Sequence, residues 1–353
     1  MSVFTLLRWL GPWMDQKRAP NGVKRENLQK KDEEFSIWIY SPDHVRGALY
    51  IVPGLHHEGP SDPRLDRFAR VLAKAGIVVG VPFLPTSMSL CMKPSLCTEA
   101  KEGFVRFAEH IQQPVGVFGI SAASIGALAI GSDSNLQKYL SGVMLFGGFY
   151  DWKDALLFAA KGRGQLSIDP LNLPVIFLNL YSFMPVDIQD EERLIAAWTS
   201  FVHQTWEKEE MKPYEKHEPI ARQLSQDVHP DDCELFLMGA SVKSGGRSLV
   251  EVALRQYTAS AEWLDPIPHI QNIQCPLYLT HGRDDVVVPY QHVYALQKYA
   301  KKGTPTYITG FYDHTGITSL WRFLRLIPRI PVEIWHSIQL LRRMIDVSRR
   351  KNQ

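Results

Sequence analysis

Apolar and polar positions along this chain follow two different periods. Short apolar runs rich in Val, Ile, Leu, Tyr and Phe occur at 45–52, 77–82, 114–118, 139–146, 275–279 and 305–308. Runs of this length, closed by Gly, Pro or polar residues, predict strands buried on both faces. Between them the spacing lengthens. Phe68, Val71, Leu72 and Ala75 recur every three or four positions and predict a helix over 66–75. The small residues at 124–130 predict another helix, and Pro289 opens one over 290–299. Strands alternating with helices predict an α/β fold with a mostly parallel central sheet.

The alternation breaks between 151 and 270, where little β pattern remains. Leu194, Ala197, Trp198, Phe201, Val202 and Trp206 predict a helix over 190–208, and shorter helices are expected at 218–224, 231–238 and 248–257. The expected organisation is a core in two pieces, 35–150 and 271–320, around a helical insertion at 151–270. Residues 1–34 precede it as a short amphipathic helix, stopped by Gly11-Pro12, and a polar surface linker over 15–34. Residues 321–353 follow it as basic amphipathic helices, divided by Pro328 and Pro331. From Ile317 onward eight Arg and Lys residues interleave with Trp, Leu and Ile. The first helical piece, 317–326, reads as a closing helix on the sheet. The second suits an anionic membrane surface, with a closing helix as the alternative.

Composition narrows the picture without changing it. At 353 residues, 45% hydrophobic and 22% charged, the chain can bury one large core plus an insertion. A net charge of +2 is too mild to suggest a nucleic-acid partner. Cys91, Cys97, Cys233 and Cys275 form no CxxC pair, which predicts reduced thiols and a cytoplasmic location, with peripheral membrane association as an addition. No apolar run reaches the roughly 18 residues of a spanning helix. No phosphate loop, dinucleotide fingerprint or zinc-helix motif occurs, so no cofactor and no metal are expected.

The chemistry concentrates in Gly119-Ile120-Ser121-Ala122-Ala123, between the 114–118 strand and the 124–130 helix. A serine flanked by small residues at a strand-to-helix turn projects its hydroxyl clear of the sheet. Ser124 is a rival nucleophile, but Ala122 rather than Gly stands two residues before it. Downstream, the 275–279 run leads into Thr280-His281-Gly282-Arg283-Asp284-Asp285-Val286-Val287-Val288-Pro289. A further run leads to His314, within Tyr312-Asp313-His314-Thr315-Gly316.

Serine, then acid, then histidine, each after a strand, resembles the α/β-hydrolase superfamily. The stretch His281 to Pro289 is similar to that family's HGxxDxxVP acid loop, and the match places the acid on Asp285, not Asp284. The resemblance implies a Ser121–His314–Asp285 triad. It also implies an oxyanion hole from the backbone N–H groups of Ala122 and Leu55, with His56 as second choice to Leu55. The departures are Ala123 for the last glycine of the elbow and Pro53 for the histidine common before Gly54. An insertion at 151–270 resembles the family's helical caps. Its Leu156, Leu157, Phe158, Phe177, Leu180, Phe183, Met184, Trp198 and Phe201 offer an apolar acyl pocket or, residue by residue, cap packing. His56, His57 and Trp152 are candidate substrate contacts. Cleavage of a carboxylic ester, apolar or lipid-like, through an acyl-enzyme is the expected activity, with a small-molecule ester as partner. An acyltransferase or thioesterase on the same triad, and a non-catalytic binding protein of this fold, are the alternatives.

Overall fold

The computed structural model describes residues 3–11, 14–29, 35–162, 168–257, 259–312 and 330–349. The chain divides into two compact units. One comprises Met1–Tyr150, Asp265–Asp285 and Tyr290–Gln353, the other Asp151–Leu264 and Val286–Pro289.

The first unit is built on β1 (Lys24–Gln29), β2 (Ser36–Ser41), β3 (Gly47–Val52), β4 (Ile77–Pro82), β5 (Val115–Ile120), β6 (Leu140–Phe146), β7 (Leu277–Gly282) and β8 (Thr306–Thr309). They form one sheet in the order β1-β2-β4-β3-β5-β6-β7-β8. Only β1–β2 and β2–β4 pair antiparallel, and the other pairs are parallel. This is the α/β-hydrolase fold that the sequence resemblance implies. The runs of Val, Ile and Leu in β3 and β4 are buried at every position, as a sheet covered on both faces requires.

Five helices precede the elbow or follow it directly. They are α1 (Val3–Leu10), α2 (Pro63–Lys74), α3 (Pro85–Met88), α4 (Ser95–Ile111) and α5 (Ser124–Ser132). Asp62 caps α2 by accepting from the Arg64 N–H at 2.9 Å, and Pro63 takes the first helical position. The lack of an apolar pattern hides β1. The stretch expected as a surface linker supplies this strand, whose side chains lie at the exposed edge and carry no apolar alternation. Its backbone pairing, Lys24 opposite Ser41 through Gln29 opposite Ser36, makes the strand, and its charges suit an unpaired edge.

The helix Ile330–Val347 places part of its apolar side in the core. Leu340, Leu341, Met344, Ile345 and Val347 join the buried cluster that also holds Leu6 and Leu10 of α1, Leu49, Val79 and Met144. Val332 and Trp335 on the same helix stay exposed. Its last turn lies directly on strand backbone. The Ala48 N–H donates to the Ser348 carbonyl at 3.0 Å and the Ser141 hydroxyl to the Val347 carbonyl at 2.6 Å. Gly47, Gly116 and Gly142 make that approach possible. A β-carbon on Gly47 would stand 2.6 Å from the Ser348 carbonyl oxygen, and one on Gly116 would strike the Val347 carbonyl. The piece expected at 317–326 lies outside the described residues.

The second unit contains the helices Trp152–Lys161, Leu173–Leu180, Glu191–Thr205, Tyr214–Leu224, Cys233–Gly239 and Gly246–Gln256, and no strand among its described residues. Asp151 and Asp190 cap the first and third, accepting from the Asp154 and Arg193 N–H groups. Phe177, Leu180, Trp198, Phe201 and Phe236 are fully buried together, with Phe177 edge-on to Trp198 at 5.4 Å. The Trp198 indole N–H donates to the Phe236 carbonyl at 3.2 Å. Most of the side chains offered as an acyl pocket are therefore this unit's own core. Leu157 and Phe183 remain half-buried.

Candidate active site

β5 ends at Ile120, and Ser121 follows with φ of +53°. A left-handed backbone costs a residue with a β-carbon about 1–2 kcal/mol, so it persists only where its surroundings enforce it. Here the enforcement is the contact between strand end and helix. A β-carbon on Gly119 would stand 2.6 Å from the Ala127 β-carbon and 3.1 Å from the Ser124 α-carbon. The chain passes from β5 through a single 3₁₀ turn, Ser121–Ala123, into α5 with no spare residue. One residue must reverse the backbone, and it is the serine.

The same geometry explains the departure from the usual elbow pattern. Ala123 has φ of −74°, an ordinary value, so this position needs smallness and not glycine's conformational range. Ser124 is 1% exposed, with its hydroxyl 3.1 Å from where a Gly148 β-carbon would sit. It is an interior residue, whereas Ser121 is the strained one and reaches the surface at 9%.

The loop after β3 runs beside this serine. A β-carbon on Gly54 would lie 3.4 Å from the Ser121 β-carbon and 3.5 Å from the Ile120 carbonyl oxygen. The His56 N–H donates to the Ser87 carbonyl at 3.2 Å. Ala122 follows the serine directly and is 5% exposed. Ser87, on α3, is fully buried, and its hydroxyl donates to the Pro53 carbonyl at 3.3 Å. Glu99 of α4 holds α3 in turn, accepting from the Thr86 N–H at 3.0 Å and the Thr86 hydroxyl at 2.5 Å. Ser87 and Glu99 escape sequence reasoning because neither sits in a motif. Pro85, at the first position of a short helix, is the one signal nearby.

His56 and His57 stack with ring centroids 4.6 Å apart, both half-buried. His56 Nδ1 accepts from the Glu58 N–H at 3.3 Å and lies 3.8 Å from the Asp62 carboxylate. Burial raises the Asp62 pKa, but the Arg64 guanidinium at 2.6 Å, with His56 beside it, outweighs this and holds it below the usual carboxylate value.

Asp285 is 1% exposed, and its Oδ2 lies 3.0 Å from His281 Nε2, itself fully buried. His281 thus has a definite partner, which motif matching alone does not reveal. Asp284 is half-buried. β7 stands two places from β5 in the sheet, parallel to it through β6. The residues that follow both strands therefore emerge at the same end, the carboxyl end of a parallel sheet where ligands bind in open α/β folds. The structure brings Gly54 beside Ser121 and sets Asp285 in the stretch after β7, at that same end of the sheet. His314 belongs to 313–329, outside the described residues, in the segment that follows β8. Trp152 opens its helix in the second unit, half-buried; its hydrogen bond to Tyr257 counters part of the rise that burial gives that phenol. None of the four cysteines is in a disulfide.

No protein-family model and no curated protein matches this sequence. Among solved structures, it is similar to the acylaminoacyl peptidase of Pyrococcus horikoshii, at 10% identity over 94% of this chain and 42% of that one, with a TM-score of 0.48. The chain thus spans about two fifths of the length of that peptidase. It is also similar to a thermostable carboxyl esterase from Bacillus coagulans, at 17% identity over 92% of this chain and 100% of that one, with a TM-score of 0.45. A third is a membrane phospholipase A, at 13% identity over 91% of this chain and 87% of that one, with a TM-score of 0.43.

Proposed function

From an α/β-hydrolase fold with a strained serine at the end of β5, we propose that this protein is a serine hydrolase cleaving a carboxylic ester through Ser121, His314 and Asp285. The observation that carries the reading is the φ of +53° at Ser121, beside a loop that approaches within a β-carbon's reach of it. Strain of this kind clusters at functional turns, and at Ser121 it falls on a serine at a strand-to-helix turn.

In this reading His314 takes the Ser121 proton as the hydroxyl attacks the ester carbonyl, then delivers it to the departing alcohol. Asp285 holds the imidazole tautomer and stabilises the imidazolium. The Ala122 and Leu55 N–H groups bind the tetrahedral oxyanion, each donor being worth about 3–4 kcal/mol to the barrier. Water then attacks the acyl-enzyme by the reverse relay and releases the acid. His56, His57 and Trp152 are proposed substrate contacts. The acyl group is proposed to be apolar, a preference with less support now that most of the apolar side chains at 151–270 form a core of their own.

Fluorophosphonate labelling followed by peptide mapping tests the reading. One adduct on Ser121, absent from Ser121→Ala, is the expected result, and a panel of p-nitrophenyl and thioester substrates of rising chain length then fixes the acyl class. A folded wild-type protein that neither labels nor turns over any ester would overturn the hydrolase reading in favour of a binding protein of this fold. Product transfer to an added alcohol or thiol in preference to water would make it an acyltransferase.

A further inference from the structure

Glu333 lies on the helix Ile330–Val347, far in sequence from any motif, yet its side chain is fully buried. Its two oxygens serve two different loops. Oε1 accepts from the Arg283 guanidinium at 3.1 Å, and Oε2 accepts from the Gly310 N–H at 2.7 Å. Arg283 stands two residues before Asp285 in the acid loop. Gly310 stands four residues before His314 in the segment after β8. A buried carboxylate is expensive unless it is paired and hydrogen-bonded, and here both partners belong to loops that carry proposed catalytic groups.

The surrounding contacts act in the same sense. The Arg283 N–H donates to the Thr309 carbonyl at 2.8 Å, carrying the β7–β8 pairing beyond β7. Thr309 and Ser337 share a hydroxyl contact at 3.2 Å, and the Phe311 N–H donates to the Thr309 hydroxyl at 3.1 Å. His336 Nδ1 donates to the Ile308 carbonyl at 2.9 Å, which fixes its tautomer. Three polar residues within five positions of one helix, Glu333, His336 and Ser337, thus hold the ends of β7 and β8.

We propose that Glu333 is a positioning residue: it ties the acid loop at Arg283 to the end of β8 at Gly310 and so fixes the place of Asp285 relative to β8. This rests on the hydrolase reading for its consequence, but not for the tie itself. Catalytic groups displaced by about 1 Å can lose 100-fold in rate, so a tie made by one carboxylate has leverage out of proportion to its distance from the chemistry.

The test is Glu333→Gln in the full chain, which keeps the shape but cannot accept from both donors. Ile345→Val, which thins the same helix's core packing away from the loops, is the control. Hydrogen exchange of peptides covering 283–285 and 309–312 should accelerate at least 10-fold in Glu333→Gln and stay near wild type in Ile345→Val. Ester turnover should fall 10- to 100-fold in kcat with KM within about two-fold, the pattern of lost alignment and not lost binding. If Glu333→Gln does not fold, Arg283→Lys, which keeps the charge but not the planar fork, should loosen 283–285 more than 309–312. Unchanged protection in Glu333→Gln, or a loss matched by the control, would overturn the proposal. Lost protection in the variant, with a wild type that never labels, would leave the tie standing and sink the hydrolase reading.

Discussion

The strain at Ser121 can be weighed directly by two substitutions at one position. Ser121→Ala removes the hydroxyl and keeps the β-carbon, so the left-handed backbone remains as costly as before. Ser121→Gly removes both. Relief of the positive φ is worth about 1–2 kcal/mol, and the extra entropy of glycine in the unfolded chain takes back about 0.5–1 kcal/mol. The Gly variant should therefore exceed the Ala variant by about 0–1.5 kcal/mol, centred on about 0.75 kcal/mol, while Ala stays within about 0.5 kcal/mol of wild type. For a cooperative body of 150–250 residues the central value is a rise of about 1.5–3 °C in melting temperature. Thermal and urea unfolding of the three proteins measures it, with fluorophosphonate labelling run alongside. Both variants should be dead to the label, and only one should be more stable. A Gly variant less stable than the Ala variant by about 0.5 kcal/mol or more, the bare entropy cost of glycine, would show that the turn stores no strain, and the main support for a functional serine would go with it.

Three further outcomes follow from the same geometry. Asp285→Asn should lower kcat by orders of magnitude and Asp284→Asn far less, since Asp285 is the buried carboxylate held at the end of β7; steady-state kinetics showing the opposite order would move the acid to Asp284. Gly116→Ala should destabilise by about 1–3 kcal/mol, because the new methyl meets the Val347 carbonyl, and backbone cannot swing aside as a side chain can; an unchanged urea midpoint would refute the close approach. Burial raises the Asp66 pKa, but hydrogen bonds from Arg70, Tyr40 and Arg25 outweigh it and hold the carboxyl below its usual value. Its stabilising effect is therefore full above the unfolded carboxyl's pKa of about 3.9 and is lost as pH falls through the lower folded value. The stability gap between wild type and Asp66→Asn, followed by melting temperature against pH, should close only on the acid side.

Much of this arrangement is legible in the sequence, because the signals are local. The Gly119–Ala123 stretch states its turn chemistry in five residues, and the acid loop does so in nine. Strands β3 to β7 announce themselves because parallel strands buried on both faces are runs of apolar residues. What is not legible is set by contacts made across the chain. β1 has no apolar pattern, since an edge strand with exposed side chains is held by backbone pairing alone. Glu333 reads as one more charge on a basic amphipathic helix, and its burial depends on Arg283 and Gly310 arriving from elsewhere. The apolar residues of 151–270 look the same in sequence whether they line a pocket or fill a core, and the structure puts most of them in a core. Gly116 and Gly142 look like weak points in strands until the helix end that rests on them is seen.

That resting place has a consequence for synthesis. The grooves over Gly47, Gly116 and Gly142 are formed from strands made early, while the helix turn that fills them comes roughly 200 residues later. At about 5–20 residues per second, the ribosome takes on the order of 10–40 s to deliver the missing piece. Throughout that interval α1 and α2 cover only part of this face, and the places of Leu340, Leu341, Met344, Ile345 and Val347 stay open. A stop codon shortly before 347 should therefore leave that part of the core open to water, and the soluble fraction of the truncated chain should fall well below that of the full chain.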